Sequence, residues 1–162
     1  MLSCGTSRYN AQVRYLGVDL GSRRIGLALS DSEGQIAFPA GTIKSRGRKR
    51  DLQALRELIT ERGIGRAVVG LPIHMDGRHG PEAEAARRFA SDLAAGSGIP
   101  VDTLDERWTS QEAERLLENA PKKGKRGKAA RREQGAVDEL AASIILRTYL
   151  DRRADEESPG ER

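Results

Sequence analysis

The spacing of apolar residues changes once along this chain, and that change limits what it can fold into. Up to about residue 43 the apolar positions recur at every second residue. Tyr15 to Asp19 is a short apolar run closed by Gly21, and Arg24 to Ser30 sets Ile25, Leu27 and Leu29 against Gly26, Ala28 and Ser30. This is strand spacing between turn residues, and it predicts a hairpin turning tightly at Gly21 and Ser22. A third strand is expected over Ala37 to Ile43, at an edge or with a bulge, because Pro39 has no N–H to give a ladder.

From Lys49 onward helical runs alternate with short apolar segments. Leu52, Leu55, Leu58 and Ile59 recur at helical spacing, and Gly63 is placed to stop that helix. Ala67 to Leu71 reads as a buried strand cut off by Pro72. Pro81 opens a helix that carries Ala86, Phe89 and Leu93 on one face. A strand over Val101 to Leu104 follows Pro100. Thr109 and Glu112 then have capping-box spacing ahead of the stripe Ala113, Leu116 and Leu117. Leu140, Ala141, Ile144, Ile145 and Tyr149 mark a last helix starting near Val137.

Three meander strands followed by helix, strand, helix, strand and two helices predict an α/β fold, a mixed five-stranded sheet flanked by helices. Its expected order is 3-2-1-4-5 with strand 2 antiparallel. Strands 1, 4 and 5 are joined by right-handed crossovers, so their carboxyl ends share one edge, where ligands of open α/β sheets bind.

A chain of 162 residues suits one core. The expected division is a disordered extension over 1–13, one domain over 14–152 and a disordered charged tail over 153–162, where DEESPGER has nothing to bury. The single cysteine, Cys4, excludes a disulfide framework and fits a reducing cytoplasm. No segment approaches the roughly 18 consecutive apolar residues of a membrane span, so a soluble protein is expected. Basicity is local. Seven of the 28 basic residues, Lys122, Lys123, Lys125, Arg126, Lys128, Arg131 and Arg132, fall between Pro121 and Arg132, and the other 21 are outnumbered by 24 acids. A shorter cluster comprises Lys44, Arg46, Arg48, Lys49 and Arg50. Such runs suit a polyanion partner, although a solvated loop explains either one as simply.

Three acids stand where an apolar run ends or a helix begins: Asp19, Glu106 and Asp138. Gathered at strand ends, carboxylates form a hard oxygen-rich site suited to Mg²⁺ or Mn²⁺. Each also has a plain structural role. Asp19 can cap the turn through the amides of Gly21 or Ser22, and Asp138 can favour the first turn of a helix through its dipole. Side chains alternate at a strand end, so only one of Asp105 and Glu106 can share a side with Asp19. Arg107 is suited to a bidentate phosphate contact and Trp108 to packing. His74 and His79 lack the further ligands of a zinc site; His74 or Asp76 could orient a substrate, though a polar surface loop suffices.

The segments VDLGSRRIGLALSD, VVGLPIHMDG, DERWTSQEAERLL and VDELAASIILRTYL, in this order and spacing, resemble the YqgF family over Tyr15 to about Leu150. That family has a ribonuclease H-like fold. It is described as a Holliday junction resolvase or as a nuclease that trims the precursor of small-subunit ribosomal RNA. The resemblance implies that Asp19, Glu106 and Asp138 are the catalytic and metal-binding acids, sharing two Mg²⁺ or Mn²⁺ ions about 4 Å apart for an in-line displacement at phosphorus. It also implies that Arg107 and the basic segment Lys122, Lys123, Lys125, Arg126 and Lys128, with Arg23 or Arg24, position the nucleic-acid backbone. His74 departs from the Asn of many relatives.

The implied partners are RNA, namely pre-16S rRNA on the pre-ribosome, or branched DNA in the resolvase reading; the chain is expected as a monomer or weak homodimer. Two other classes bear on the same residues. DLGSRR also resembles the phosphate loop of the sugar-kinase, actin and heat-shock ATPase superfamily, which needs two such domains. A non-catalytic RNA-binding assembly factor would keep the acids as a vestige.

Overall fold

The computed structural model describes residues 12–107, 109 and 130–157, with the side chains of 130–134 excepted. The helix expected behind Thr109, the basic positions Lys122 to Lys128, Trp108 and Cys4 lie outside the described residues. Strands β1 (Arg14–Leu20), β2 (Arg24–Ser30) and β3 (Ala37–Lys44) are followed by α1 (Arg48–Arg62), β4 (Ile64–Leu71), α2 (Pro81–Ser97), β5 (Val101–Asp105) and α3 (Ala130–Glu157).

The sheet order is β3-β2-β1-β4-β5, the order expected of the fold class. β2 is antiparallel to both β1 and β3, while β1–β4 and β4–β5 are parallel. The carboxyl ends of β1, β4 and β5 therefore share an edge with the turn between β1 and β2. That turn closes tightly, with Gly21 N–H donating to the Arg24 carbonyl at 2.9 Å. β3 is an edge strand, and its register with β2 shifts between Gly26 and Ala28, beside Pro39, which has no N–H to give the ladder.

Helices α1 and α2 cover one face of the sheet. Leu52, Leu55 and Ile59 of α1 and Ala86, Phe89 and Leu93 of α2 pack with Leu16, Val18, Ile25 and Val69. Gly63 ends α1 in the left-handed region at φ 61°, and β4 begins at once. The strand is thus three residues longer than the AVVGL core suggests. In the first turn of α1, buried Asp51 accepts from Ser45 Oγ at 2.6 Å and Arg46 N–H at 2.9 Å, which fixes the connection out of β3.

α3 covers the other face, with Ala142, Ile145, Leu146, Tyr149 and Leu150 against Ala28, Val68 and Leu104. It starts seven residues before the expected Val137 and continues through Gly135. Ala130 to Gln134 are helix-compatible but have no apolar periodicity to announce them. It also runs to Glu157, so the boundary expected at residue 152 falls inside it. There Arg153 pairs with Glu157 at 3.1 Å and lies over the rings of Tyr15 and Tyr149, which extends the helix beyond the sheet. At this far end the Tyr149 hydroxyl donates to Asp102, which also accepts from Arg66 at 2.7 Å.

Candidate active site

Asp19 is next to last in β1 and stands directly opposite Gly26 of β2. Residues opposed across a ladder point to the same face, and a Cβ built on Gly26 would run into the backbone of Asp138, 2.6 Å from its carbonyl carbon. Gly26 therefore lets α3 lie directly on the sheet and brings Asp138 beside Asp19. Glu139, the next residue, accepts from Gly41 N–H at 2.8 Å and ties this end of α3 to β3.

Glu106 follows β5 directly. Its N–H extends the parallel ladder by donating to the Leu71 carbonyl at 3.0 Å, and its own carbonyl accepts from Thr109 N–H at 3.0 Å and Thr109 Oγ at 2.7 Å. The Thr109 hydroxyl thus bonds backwards to Glu106, and its expected capping-box partner Glu112 lies outside the described residues. The Glu106 side chain runs across Gly70, where a Cβ would be 2.5 Å from Oε1 and 2.6 Å from Ile145 Cδ1. Gly26 and Gly70 were missed by the sequence reading. Glycine inside a strand, marking close approach, is the signal that finds them.

Of the two adjacent acids it is Glu106 that faces Asp19. Asp105 points away and holds Arg107 through its backbone N–H at 2.9 Å, Nε at 2.9 Å and Nη2 at 2.6 Å. The Nε–Nη2 edge of the Arg107 guanidinium is therefore committed to Asp105, which leaves the Nη1 side for a phosphate. Its remaining Nη1 is directed toward Gly77 in the loop after β4. In that loop Asp76 pairs with Arg78 at 2.5 Å, and His79 Nδ1 is 3.0 Å from Arg87. Neither histidine joins the acids.

The electrostatics match this layout. Burial, and then the negative charge of Asp138, holds Asp19 above the usual carboxylate range. Burial, followed by the charges of Asp19 and Asp105, pushes Glu106 up to about 7. Asp19 is thus the central member, coupled to Asp138 on one side and Glu106 on the other. The three do not close into a cage. Among the described residues no three His, Cys, Asp or Glu groups stand close enough to hold a metal ion together. Like charges in a poorly hydrated corner repel. Carboxylate oxygens on three rigid elements fit a hard divalent cation by chemistry, and such an ion would offset the repulsion that raises both groups.

The family profile described as "RuvX: Holliday junction resolvase" matches residues 13–152. A Chloroflexus aggregans protein named "Putative pre-16S rRNA nuclease" is 48% identical over 138 residues, spanning 85% of this chain and 93% of its own. A protein of the same name from Anaeromyxobacter dehalogenans is 47% identical over 142 residues, 88% of this chain and 99% of its own. Among solved structures, RuvC of T. thermophilus in complex with a Holliday junction substrate superposes with a TM-score of 0.55 at 16% identity, over 88% of this chain and 96% of that one. The fowlpox virus Holliday junction resolvase gives 0.51 at 11% identity, over 87% and 99%. At such identities these two likenesses speak for the shared ribonuclease H-like architecture alone. With the profile spanning most of the chain and relatives 47–48% identical over nearly their whole length, the chain belongs to the RuvX family, the YqgF family of the sequence resemblance.

Proposed function

We propose that this chain is a divalent-metal-dependent nuclease that processes the 5′ end of pre-16S rRNA during ribosome biogenesis. The observation that carries the reading is the placement of Asp19 between Glu106 and Asp138, with burial and mutual repulsion raising Asp19 and Glu106. The names of relatives at 47–48% identity support the RNA substrate. Held by Asp19, Glu106 and Asp138, a cation of the Mg²⁺ or Mn²⁺ class would lower the pKa of an attacking water and stabilise the departing oxygen in an in-line displacement.

The chain's own residues supply the remainder. The three carboxylates concentrate negative charge in a corner where burial weakens screening, and a bound cation would offset the burial and repulsion that raise Asp19 and Glu106. Arg107, oriented by Asp105, and Lys122, Lys123, Lys125, Arg126 and Lys128 would grip phosphates rather than read bases. The working compartment in this reading is the cytoplasm, in keeping with a single cysteine, and no helix among the described residues is long and apolar enough to cross a membrane.

The test sets a precursor 16S RNA fragment beside four-way DNA, each with Mg²⁺ or Mn²⁺. Wild type should cleave the RNA, and Asp19→Asn should abolish cleavage while keeping RNA binding. If wild type is as inert as the variant while both bind RNA, the non-catalytic assembly-factor reading replaces this one. Paired symmetric cuts in four-way DNA with none in RNA would favour the resolvase described for the family.

A further inference from the structure

Beside Asp138, on the far side of the acids from Arg107, lies an open trough of about 1050 Å³ lined by Gly21, Ser22, Arg23, Arg24, Thr42, Lys44 and Asp138. We infer that this trough is a binding track for the sugar-phosphate backbone of the single strand next to the cleaved phosphate. This deepens the nuclease reading and rests on it.

The register builds the track. Arg24 is paired across the ladder with Lys44, and Gly26 with Thr42. Residues 24 and 26 share a face, as do 42 and 44, and Gly26 meets Asp138 of α3. Arg24 and Lys44 therefore project on the same side of the sheet as the three acids, at the same edge. Arg23 and Lys44 are exposed, and Arg24 is half-buried. Among the described residues none of these three cations has a carboxylate partner within 4 Å, whereas Arg48, Arg66 and Arg107 are each paired. Like charges placed directly opposite one another on a sheet repel, and an anion lying between them relieves that repulsion. The acids repel a phosphodiester, so a strand reaching them needs positive charge along its approach. Arg23, Arg24 and Lys44 provide it on the hairpin side.

Each phosphate contact to a single strand contributes about 0.7 to the slope of log affinity against log salt. The experiment measures anisotropy of a labelled single-stranded RNA, with DNA of the same sequence in parallel, across an NaCl series in the Asp19→Asn background. Adding Arg24→Ala and Lys44→Ala together should flatten the slope by about 1.4 and weaken binding roughly tenfold at low salt. In the Asp19 form, the same pair should raise KM far more than it lowers kcat. Lys44→Ala alone, on an exposed side chain, guards against misfolding and should remove about 0.7 of slope, and Lys44→Arg should restore it. Wild-type slope in both the double variant and Lys44→Ala overturns the track. Cleavage by wild type together with an unchanged slope defeats the track while sparing the nuclease reading. Binding without cleavage by the Asp19 form defeats the nuclease reading, and the slope then decides the track alone. Absence of any RNA or DNA binding defeats both.

Discussion

Replacing Gly26 by alanine adds one methyl where the structure has no room for it. Its Cβ would lie 2.6 Å from the Asp138 carbonyl carbon and closer still to the oxygen, against the 3.4 Å at which ordinary contact begins. Both neighbours are backbone, so no rotamer change gives way. α3 must lift by about an ångström or more against the contacts of Ala142, Ile145 and Leu146. Overpacking of this kind costs roughly 1–3 kcal/mol. The displacement also moves Asp138 relative to Asp19, and a misplacement of about 1 Å at a reacting site lowers the rate about a hundredfold. Urea unfolding followed by circular dichroism reads the first effect, and single-turnover RNA cleavage with Mn²⁺ reads the second. Gly135→Ala is the control in the same helix. Its nearest neighbour is Thr42 Oγ1 at 3.8 Å, so it should gain about 0.5–1 kcal/mol from helix propensity. A Gly26→Ala protein within about 0.5 kcal/mol of wild type, cleaving at the wild-type rate, would refute the close seating of α3 on β2.

Two further outcomes follow from the buried carboxylates. Because the folded state raises Glu106 to about 7, its contribution to stability is complete below the unfolded value near 4.5 and is lost as pH rises through 7. For a half-buried group, solvent screening reduces this to on the order of 2 kcal/mol. Metal-free wild type should therefore lose urea resistance between pH 5 and 8, Glu106→Gln should flatten that decline, and parallel curves for the two would show that the charge is not penalised. Asp51→Ala leaves Ser45 Oγ and Arg46 N–H without their acceptor in a buried position and should cost roughly 2–3 kcal/mol in chemical denaturation; a midpoint equal to wild type would remove Asp51 as the anchor of α1.

The strands and helices could be read from spacing because each announces itself: alternation in Arg24 to Ser30, a bounded apolar run at Ala67 to Leu71, and Gly63 and Pro81 at helix ends; their full order in the sheet is that of the ribonuclease H-like fold the resemblance implies. The start of α3 could not, since Ala130 to Gln134 belong to a charged stretch whose helix is carried by packing further along. Asp19 and Glu106 were legible as strand-end acids. Which of Asp105 and Glu106 faces inward was not, because alternation permits either and the outcome depends on the space left by Gly70. The commitment of Arg107 to Asp105 was equally hidden: a cation two residues from an acid can look outward or turn back, and only the bend after β5 decides it.

The far end of α3 is held to the sheet through Tyr149, Asp102 and Arg66, and its near end through the tie from Glu139 to Gly41 and the seat of Asp138 on Gly26. Asp138 stands eleven residues along this helix from Tyr149, so the arm between them is held at both ends. At 1.5 Å per residue the arm is about 16 Å long, and a tilt of only about 4° swings its tip by about 1 Å. A rod seated this way keeps the third acid at a fixed reach from the other two, and a substitution beneath it that tilts the rod even slightly shifts that acid by as much as a reacting site tolerates.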